Sequence, residues 1–304
     1  MSLVIVGSVA IDAIETPFGK TDKIVGGAGT YASISASYMY NKVKLVGVVG
    51  EDFGEENLNL FKQRKINTEG VEVVKGGKSF FWSGKYHNDM NTRDTLITEL
   101  NVLAEFDPKI PTSYQDCEYL LLANLTPQVQ LRALERMAHK PKLTVMDTMN
   151  FWIDTALDDL KEIISKVDVI AINDSEARQL TDEYSLVKAA EKIQKMGPDY
   201  VVIKKGEHGA LLFGEDRVFS APALPLAEVF DPTGAGDVFA GAFIGYLAHV
   251  QSLSFNNMKN ATIYGSALAS FCVEKFGVER LMNLSNEQIH HRIKEFVALS
   301  KFDM

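Results

Sequence analysis

The 304-residue chain predicts an α/β protein, a doubly wound, mainly parallel sheet flanked by helices and carrying a small β lid. Three observations carry that prediction. Short, almost wholly apolar runs recur at 3–6, 44–49, 119–122, 143–146, 167–172 and 200–204. Helix-length amphipathic stretches separate them at 29–40, 55–65, 127–138, 154–166 and 186–196. One polar, aromatic stretch at 76–99 breaks the rhythm.

Each element follows from its local pattern. Continuous apolar strands suit a sheet covered on both faces, and strand–helix alternation implies parallel βαβ units. The first strand runs from Leu3, and Asp12 is expected to close the extended run 4–10. The segment 79–86, Ser-Phe-Phe-Trp-Ser-Gly-Lys-Tyr, and the segment 92–98 read as extended; with residues 12–25 they form the predicted lid. Beyond Phe230 the pattern turns helical, at 236–250, 255–276 and 285–299. Ser285 and Gln288 form a capping box at the start of the last helix. No repeat or Pro-rich linker divides the chain, so a single domain spanning 1–304 is expected, its lid formed by about 12–25 and 76–99.

Composition narrows the partners. Hydrophobic residues make up 46% and charged residues 23%, enough for a sizeable core. The net charge of −9 speaks against nucleic acid or an anionic membrane surface as a partner. The longest mostly apolar stretch, 238–248, is shorter than the ~20 residues of a membrane span. Cys117 and Cys272 form no CxxC pair, which argues against a cysteine zinc site and for a reducing, cytoplasmic setting. The apolar start at 3–6 reads as a strand, not as a signal peptide.

The string Asp231-Pro-Thr-Gly-Ala-Gly-Asp237 carries the most chemistry. Gly234, Ala235 and Gly236 are three small residues in a turn that opens a helix. Small residues let backbone N–H groups approach an anion, and the helix N-terminus adds about half a positive charge. Asp237 stands where a carboxylate can take a proton from an attacking hydroxyl. Asn173-Asp-Ser-Glu176 follows an apolar strand, where α/β sheets place ligands; it also has the spacing of a capping box. Asp147 ends another strand as a second acidic candidate, or caps the helix beyond it. A carboxylate such as Asp12 can accept from two neighbouring sugar hydroxyls, and Gly26-Gly27 lets backbone approach a ligand at a helix start.

Taken in order, these motifs resemble the ribokinase-like, or PfkB, family of carbohydrate and nucleoside kinases, over nearly the whole chain. Asp12, Gly26-Gly27, Gly50-Glu-Asp-x-Gly54, Asn173-x-x-Glu176, Lys205-Gly-Glu-His-Gly209 and the 231–237 string appear in the family's order. The resemblance implies an ATP- and Mg²⁺-dependent kinase acting on a hydroxyl of a small sugar or sugar-like molecule, with a nucleoside as the alternative acceptor. It implies a base at Asp237, an anion hole at Gly234, Ala235 and Gly236, and acceptor contacts at Asp12, Gly26, Gly27 and Tyr31. It assigns the nucleotide to Asn173, Lys205, Gly206, Gly209 and Thr233, and the Mg²⁺ water shell to Glu176, with Asp147 as a further candidate. Asp231 and the backbone near Gly277 match a K⁺ site of some members. Tyr31 departs from the family, many of whose sugar kinases carry Asn there. The lid aromatics Phe80, Phe81, Trp82 and Tyr86 are expected to cover the acceptor or to meet the lid of a second copy in a homodimer. Arg93 can meet an anionic acceptor or remain a solvated charge.

Two rival classes weigh less. Gly27-x-Gly29-x-x-Ala32 fits a dinucleotide fingerprint, as an NAD-dependent oxidoreductase would carry, but only 23–25 precede it where a long strand is required. A non-catalytic sugar sensor on this fold predicts loss of the base or the glycines, and all are present.

Overall fold

A computed structural model describes residues 2–301. The strands are β1 (Leu3–Val6), β2 (Ala10–Thr16), β3 (Gly19–Lys20), β4 (Ile24–Gly26), β5 (Val43–Gly50), β6 (Asn67–Val74), β7 (Phe80–Tyr86) and β8 (Arg93–Glu99). They continue with β9 (Tyr119–Leu122), β10 (Leu143–Asp147), β11 (Val169–Asn173), β12 (Tyr200–Lys204), β13 (Ala210–Gly214) and β14 (Arg217–Ala221). The helices are α1 (Ala28–Met39), α2 (Gly54–Gln63), α3 (Thr112–Gln115), α4 (Pro127–Glu135), α5 (Asn150–Thr155), α6 (Leu157–Ile164), α7 (Asp174–Thr181) and α8 (Leu186–Gln194), then α9 (Ala235–Val250), α10 (Phe255–Cys272), α11 (Glu279–Met282) and α12 (Asn286–Leu299).

Nine strands form one sheet in the order β14-β13-β12-β11-β10-β9-β1-β5-β6. From β12 to β6 every pairing is parallel, and β13 and β14 add an antiparallel hairpin at one edge. The expected mainly parallel sheet is present. Its apolar strands are buried on both faces, and alternation divides them between two cores. Leu3 and Ile5 of β1, with Tyr119 and Leu121 of β9, pack into one core beneath α1, α9 and α10. Val4, Val6, Leu120 and Leu122 pack into the other, beneath α4, α6 and α8. A second sheet, β3-β2-β7-β8 with β4 paired to β2, stands apart from the first.

The structure revises two boundaries and adds elements that the pattern does not predict. The run expected at 4–10 breaks at Gly7, and β2 is already a strand of the small sheet, so Asp12 lies inside a strand and not at its end. The break has a steric cause: Gly7 packs against the α1 backbone so closely that a Cβ on it would lie 2.6 Å from Gly29 N. The helix expected at 154–166 is two helices, α5 and α6, meeting at Ala156. The edge strand β6 and the β13–β14 hairpin were not anticipated. The dinucleotide-type glycines follow β4, an antiparallel strand of the small sheet, which is the wrong context for that fingerprint.

Helices α1 and α9 pack side by side and parallel. Tyr31 meets Gly234, Ser35 Oγ donates to Val238 O at 2.8 Å, Ala32 touches Gly241, and Ala36 touches Gly245. The partner's residue number rises along both helices, so their N-termini lie next to each other. Small residues permit this approach. A methyl group at Gly241 would collide with Ala32 O and Ser35 Oγ. Gly241→Ala is therefore expected to destabilise the protein by about 1–3 kcal/mol, the usual cost of overpacking. Chemical denaturation of the two proteins checks this, and unchanged stability would contradict the packing.

Candidate active site

The site lies at the carboxyl ends of the parallel strands, where open α/β sheets receive ligands. Asp147 ends β10, Asn173 ends β11 and Lys204 ends β12, with Asn173 and Lys204 paired in register. The N-termini of α1 and α9 face this edge.

Gly234 is the N-cap of α9, with φ 77°, a left-handed backbone that favours glycine. A Cβ on it would lie 2.5 Å from the Tyr31 ring. Tyr31, expected to line the acceptor, instead lies beneath this turn at 1% exposure and supports it. Its helical position aims the ring at α9, and its buried hydroxyl has no hydrogen-bond partner among the described residues. Ala235 and Gly236 follow, and Asp237 is in the first turn of α9. Burial pushes Asp237 up to about 7; Asp147 adds to the rise, while Lys204 and Arg93 oppose it.

Asp231 holds the turn in place. Its Oδ1 accepts from Thr233 N–H and its Oδ2 from Gly277 N–H, both at 2.9 Å. Both oxygens are thus committed to backbone, and any cation there would draw mainly on carbonyl groups. Thr233, expected near the nucleotide, meets the small sheet through Tyr86, Oγ1 to Oη at 3.1 Å.

Gly27 is the N-cap of α1, with φ 94°. A side chain on Gly26 would occupy the place of the Asp12 carboxylate, and Gly27 N–H donates to that carboxylate. Burial, then the charges of Asp231 and Asp237, push Asp12 up to about 8.

Asn173 and Glu176 form a capping box: Asn173 Oδ1 accepts from Glu176 N–H at 2.8 Å, and Glu176 Oε2 accepts from Asn173 N–H at 3.0 Å. The cap leaves Glu176 buried near Lys204, and burial pushes it up to about 7 against the pull of that lysine. Lys204 was not singled out from the sequence, where Lys205 was. Its Nζ donates to Asp147 Oδ2 at 2.7 Å. Burial would lower its pKa, but Asp147 and Glu176 outweigh that and keep it charged. Asp147 also accepts from Thr148 N–H at 2.9 Å, so each of its oxygens has one protein partner. Lys205 opens a tight turn in which its N–H donates to Gly209 O at 2.8 Å. Gly206 and Gly209 take φ 53° and 81° in that turn.

The small sheet overhangs these groups. Asp12 pairs with Trp82 in register, so both side chains stand on one face. Trp82 packs over Gly84, and Tyr86, two residues on, reaches Thr233 on the same face. Arg93 stands across from Tyr86, 5.7 Å from the Trp82 ring. At the β7–β8 turn, Asn91 Oδ1 lies 3.2 Å from the place of a Gly206 Cβ. Asp237 and the 205–209 turn thus lie beneath the sheet that carries Asp12.

Among the described residues no three metal-ligating side chains come together. Mg²⁺ keeps most of its waters and takes phosphate oxygens with one or two carboxylates. No described helix is long and apolar enough to cross a membrane.

The model of the pfkB family carbohydrate kinases matches residues 1–283. The chain belongs to this family. As a PfkB protein it is a phosphotransferase with an alcohol acceptor, the class expected from its glycine strings. Curated PfkB relatives include a cytidine kinase of Thermococcus kodakarensis, 33% identical over 254 residues, which are 81% of this chain and 88% of that protein. A ribokinase of Lactococcus lactis is 26% identical over 306 residues, 96% of each chain. Among solved structures, a nucleoside kinase of Burkholderia thailandensis in complex with inosine superposes with a TM-score of 0.81 at 19% identity, over 96% of each chain. The nucleoside kinase of Methanocaldococcus jannaschii gives 0.77 at 22% identity, over 97% of this chain and 99% of that one. These two share the fold.

A raised carboxylate pKa also fixes a stability trend. Folded Asp12 keeps its proton up to about pH 8, whereas the unfolded chain loses it near the ordinary carboxyl value of 3.8. Its contribution is therefore full below that ordinary value and is lost as pH rises through about 8. Melting temperatures at pH 5.5 and 8.5 should show Asp12→Asn gaining on the wild type at the higher pH. An equal difference at both would contradict the shift.

Proposed function

We propose that this kinase transfers the γ-phosphoryl group of ATP to a ribose hydroxyl of a nucleoside. The observation that carries this reading is the pairing of Asp12 with Trp82 on the face of the small sheet turned toward Asp237. A carboxylate that accepts from two sugar hydroxyls and an indole against which a base can stack are the two contacts a nucleoside needs. The cytidine kinase relative supports this acceptor class. A free pentose is the second reading, supported by the full-length similarity to a ribokinase and by the fact that Asp12 with Gly26 and Gly27 suffices for a diol.

In this reading the small sheet is a lid on a single α/β domain. Its closure over the acceptor excludes water from the reacting groups. Asp237 takes the proton of the attacking hydroxyl. The N–H groups of Gly234, Ala235 and Gly236, at the positive end of α9, hold the transferring phosphoryl group. Asn173, Lys205, Gly206, Gly209 and Thr233 border the nucleotide. Glu176 orients the water shell of Mg²⁺, which when bound neutralises phosphate charge. The loose transition state of phosphoryl transfer makes positioning and charge stabilisation the larger part of the work. The lid turns Leu96 and Ile97 to solvent, 55% and 47% exposed, which supports pairing with the lid of a second copy. Cys117 and Cys272, both free and buried, suit a reducing cytoplasm.

A panel assay of ADP release against cytidine, uridine, adenosine, inosine, ribose and fructose tests the acceptor. Nucleoside turnover well above that of ribose is expected; the reverse would replace the first reading by the second. Trp82→Ala should raise the nucleoside KM by roughly tenfold or more, since a stacked base is worth about 1–3 kcal/mol. It should change the ribose KM much less. Asp237→Asn should lower kcat by about 10²–10⁴ with ATP affinity nearly intact, and near-normal kcat would remove Asp237 from the base role. Because Asp237 must be ionised to act and its carboxyl sits at about 7, kcat/KM should rise with pH through that value and level off above it.

A further inference from the structure

Lys204 is held by the fold in a place where a buried charge has no structural need. It is the last residue of β12, a strand otherwise made of Tyr200, Val201, Val202 and Ile203. Its side chain is 16% exposed, and that of its partner Asp147 is 6% exposed. A buried ion pair of this kind is commonly no more stabilising than apolar residues of the same volume. The surroundings of Nζ point to a ligand. Asp147 is its one hydrogen-bond partner among the described residues, although an ammonium group has three N–H donors. Glu176 and Asp237 both act on it electrostatically. It also lies against the start of α9: a Cβ on Gly236 would sit 3.0 Å from Nζ. The ammonium therefore occupies the corner shared by the 234–236 turn, the base and the residue assigned to the Mg²⁺ shell.

We propose that Lys204 is a catalytic residue, its ammonium group donating hydrogen bonds to the oxygens of the transferring γ-phosphoryl group. The inference rests on the kinase reading above and deepens it. The acceptor oxygen forms a bond to the γ-phosphorus and yields its proton to Asp237. The bond from that phosphorus to the bridging oxygen breaks, and its electron pair stays on ADP. Lys204 remains protonated throughout. It supplies N–H donors and positive charge to the γ-phosphoryl oxygens while that group passes between the two nucleophiles. Asp147 holds the ammonium in position between turnovers and fixes its direction. Gly236 provides the space it occupies beside the phosphoryl group.

The test compares how the full chain with Mg²⁺ binds ADP and the unreactive β,γ-imido analogue of ATP, by calorimetry, alongside kcat. Lys204→Met should bind ADP within about threefold of the wild type, bind the imido analogue at least tenfold more weakly, and lose at least a hundredfold in kcat. Should that variant fail to fold because Asp147 is left unpaired, Lys204→Met with Asp147→Asn removes both charges and carries the same comparison. In Lys204→Ala, added ethylamine or propylamine should restore part of kcat in a saturable way, which a merely structural lysine would not allow. Equal weakening of both nucleotides, or an unchanged preference between them, overturns the proposal whatever the rate. So does a kcat within threefold of the wild type. Wild-type protein that releases no ADP with any acceptor would instead overturn the kinase reading. Wild-type turnover with an unaffected Lys204→Met would overturn only the role of Lys204.

Discussion

Everything at this site depends on the parallel contact between α1 and α9. Each helix starts at a glycine with positive φ, Gly27 and Gly234, and each N-terminus brings unsatisfied N–H groups and partial positive charge to the same edge of the sheet. Side-by-side parallel dipoles repel, so the arrangement has an electrostatic cost that close packing must offset. The packing is close because Ala32, Ala36, Gly241 and Gly245 keep the facing surfaces nearly flat, and Tyr31 fills the space beneath Gly234. One rigid pair of helices thus brings both N-termini to one edge, and in the proposed reading an anion between them offsets the cost.

The same edge gathers Asp12, Asp147, Glu176, Asp231 and Asp237 within a largely buried region. Two of the five are neutralised locally: Asp147 by Lys204 and Asp231 by two backbone N–H groups. All five nevertheless have raised pKa values, with burial as the largest cause in each. Such groups destabilise the free protein above neutral pH; in the proposed reading they are relieved by hydroxyl donors at Asp12, a hydrated cation at Glu176 and a transferable proton at Asp237. A region this acidic suits an anionic nucleotide only because the helix N-termini and Lys204 supply the opposing charge.

Much of this was legible in the sequence, and the reason is steric. Strings such as 26–27 and 234–236 are glycine-rich because a side chain would displace Asp12 or strike Tyr31, so the fold's closest contacts are written as missing side chains. Apolar β-branched runs marked the central strands because both faces of those strands are buried. Residues whose meaning depends on register were not legible. Lys204 ends an apolar strand and reads as a surface lysine until its pairing with Asn173 brings it among the carboxylates. Tyr31 reads as a ligand contact until the α1–α9 packing turns its ring under Gly234. β6, with Glu69 and Glu72 and an exposed edge, lacks the continuous apolar pattern of its neighbours, and the break at Gly7 appears only through its contact with Gly29.

The most direct measurement is a crystal structure of the protein with a nucleoside and the β,γ-imido analogue of ATP. The account predicts the terminal phosphorus within reach of the N–H groups of 234–236, with a ribose hydroxyl of the acceptor between it and Asp237. A triphosphate whose terminus lies away from both helix N-termini would contradict it.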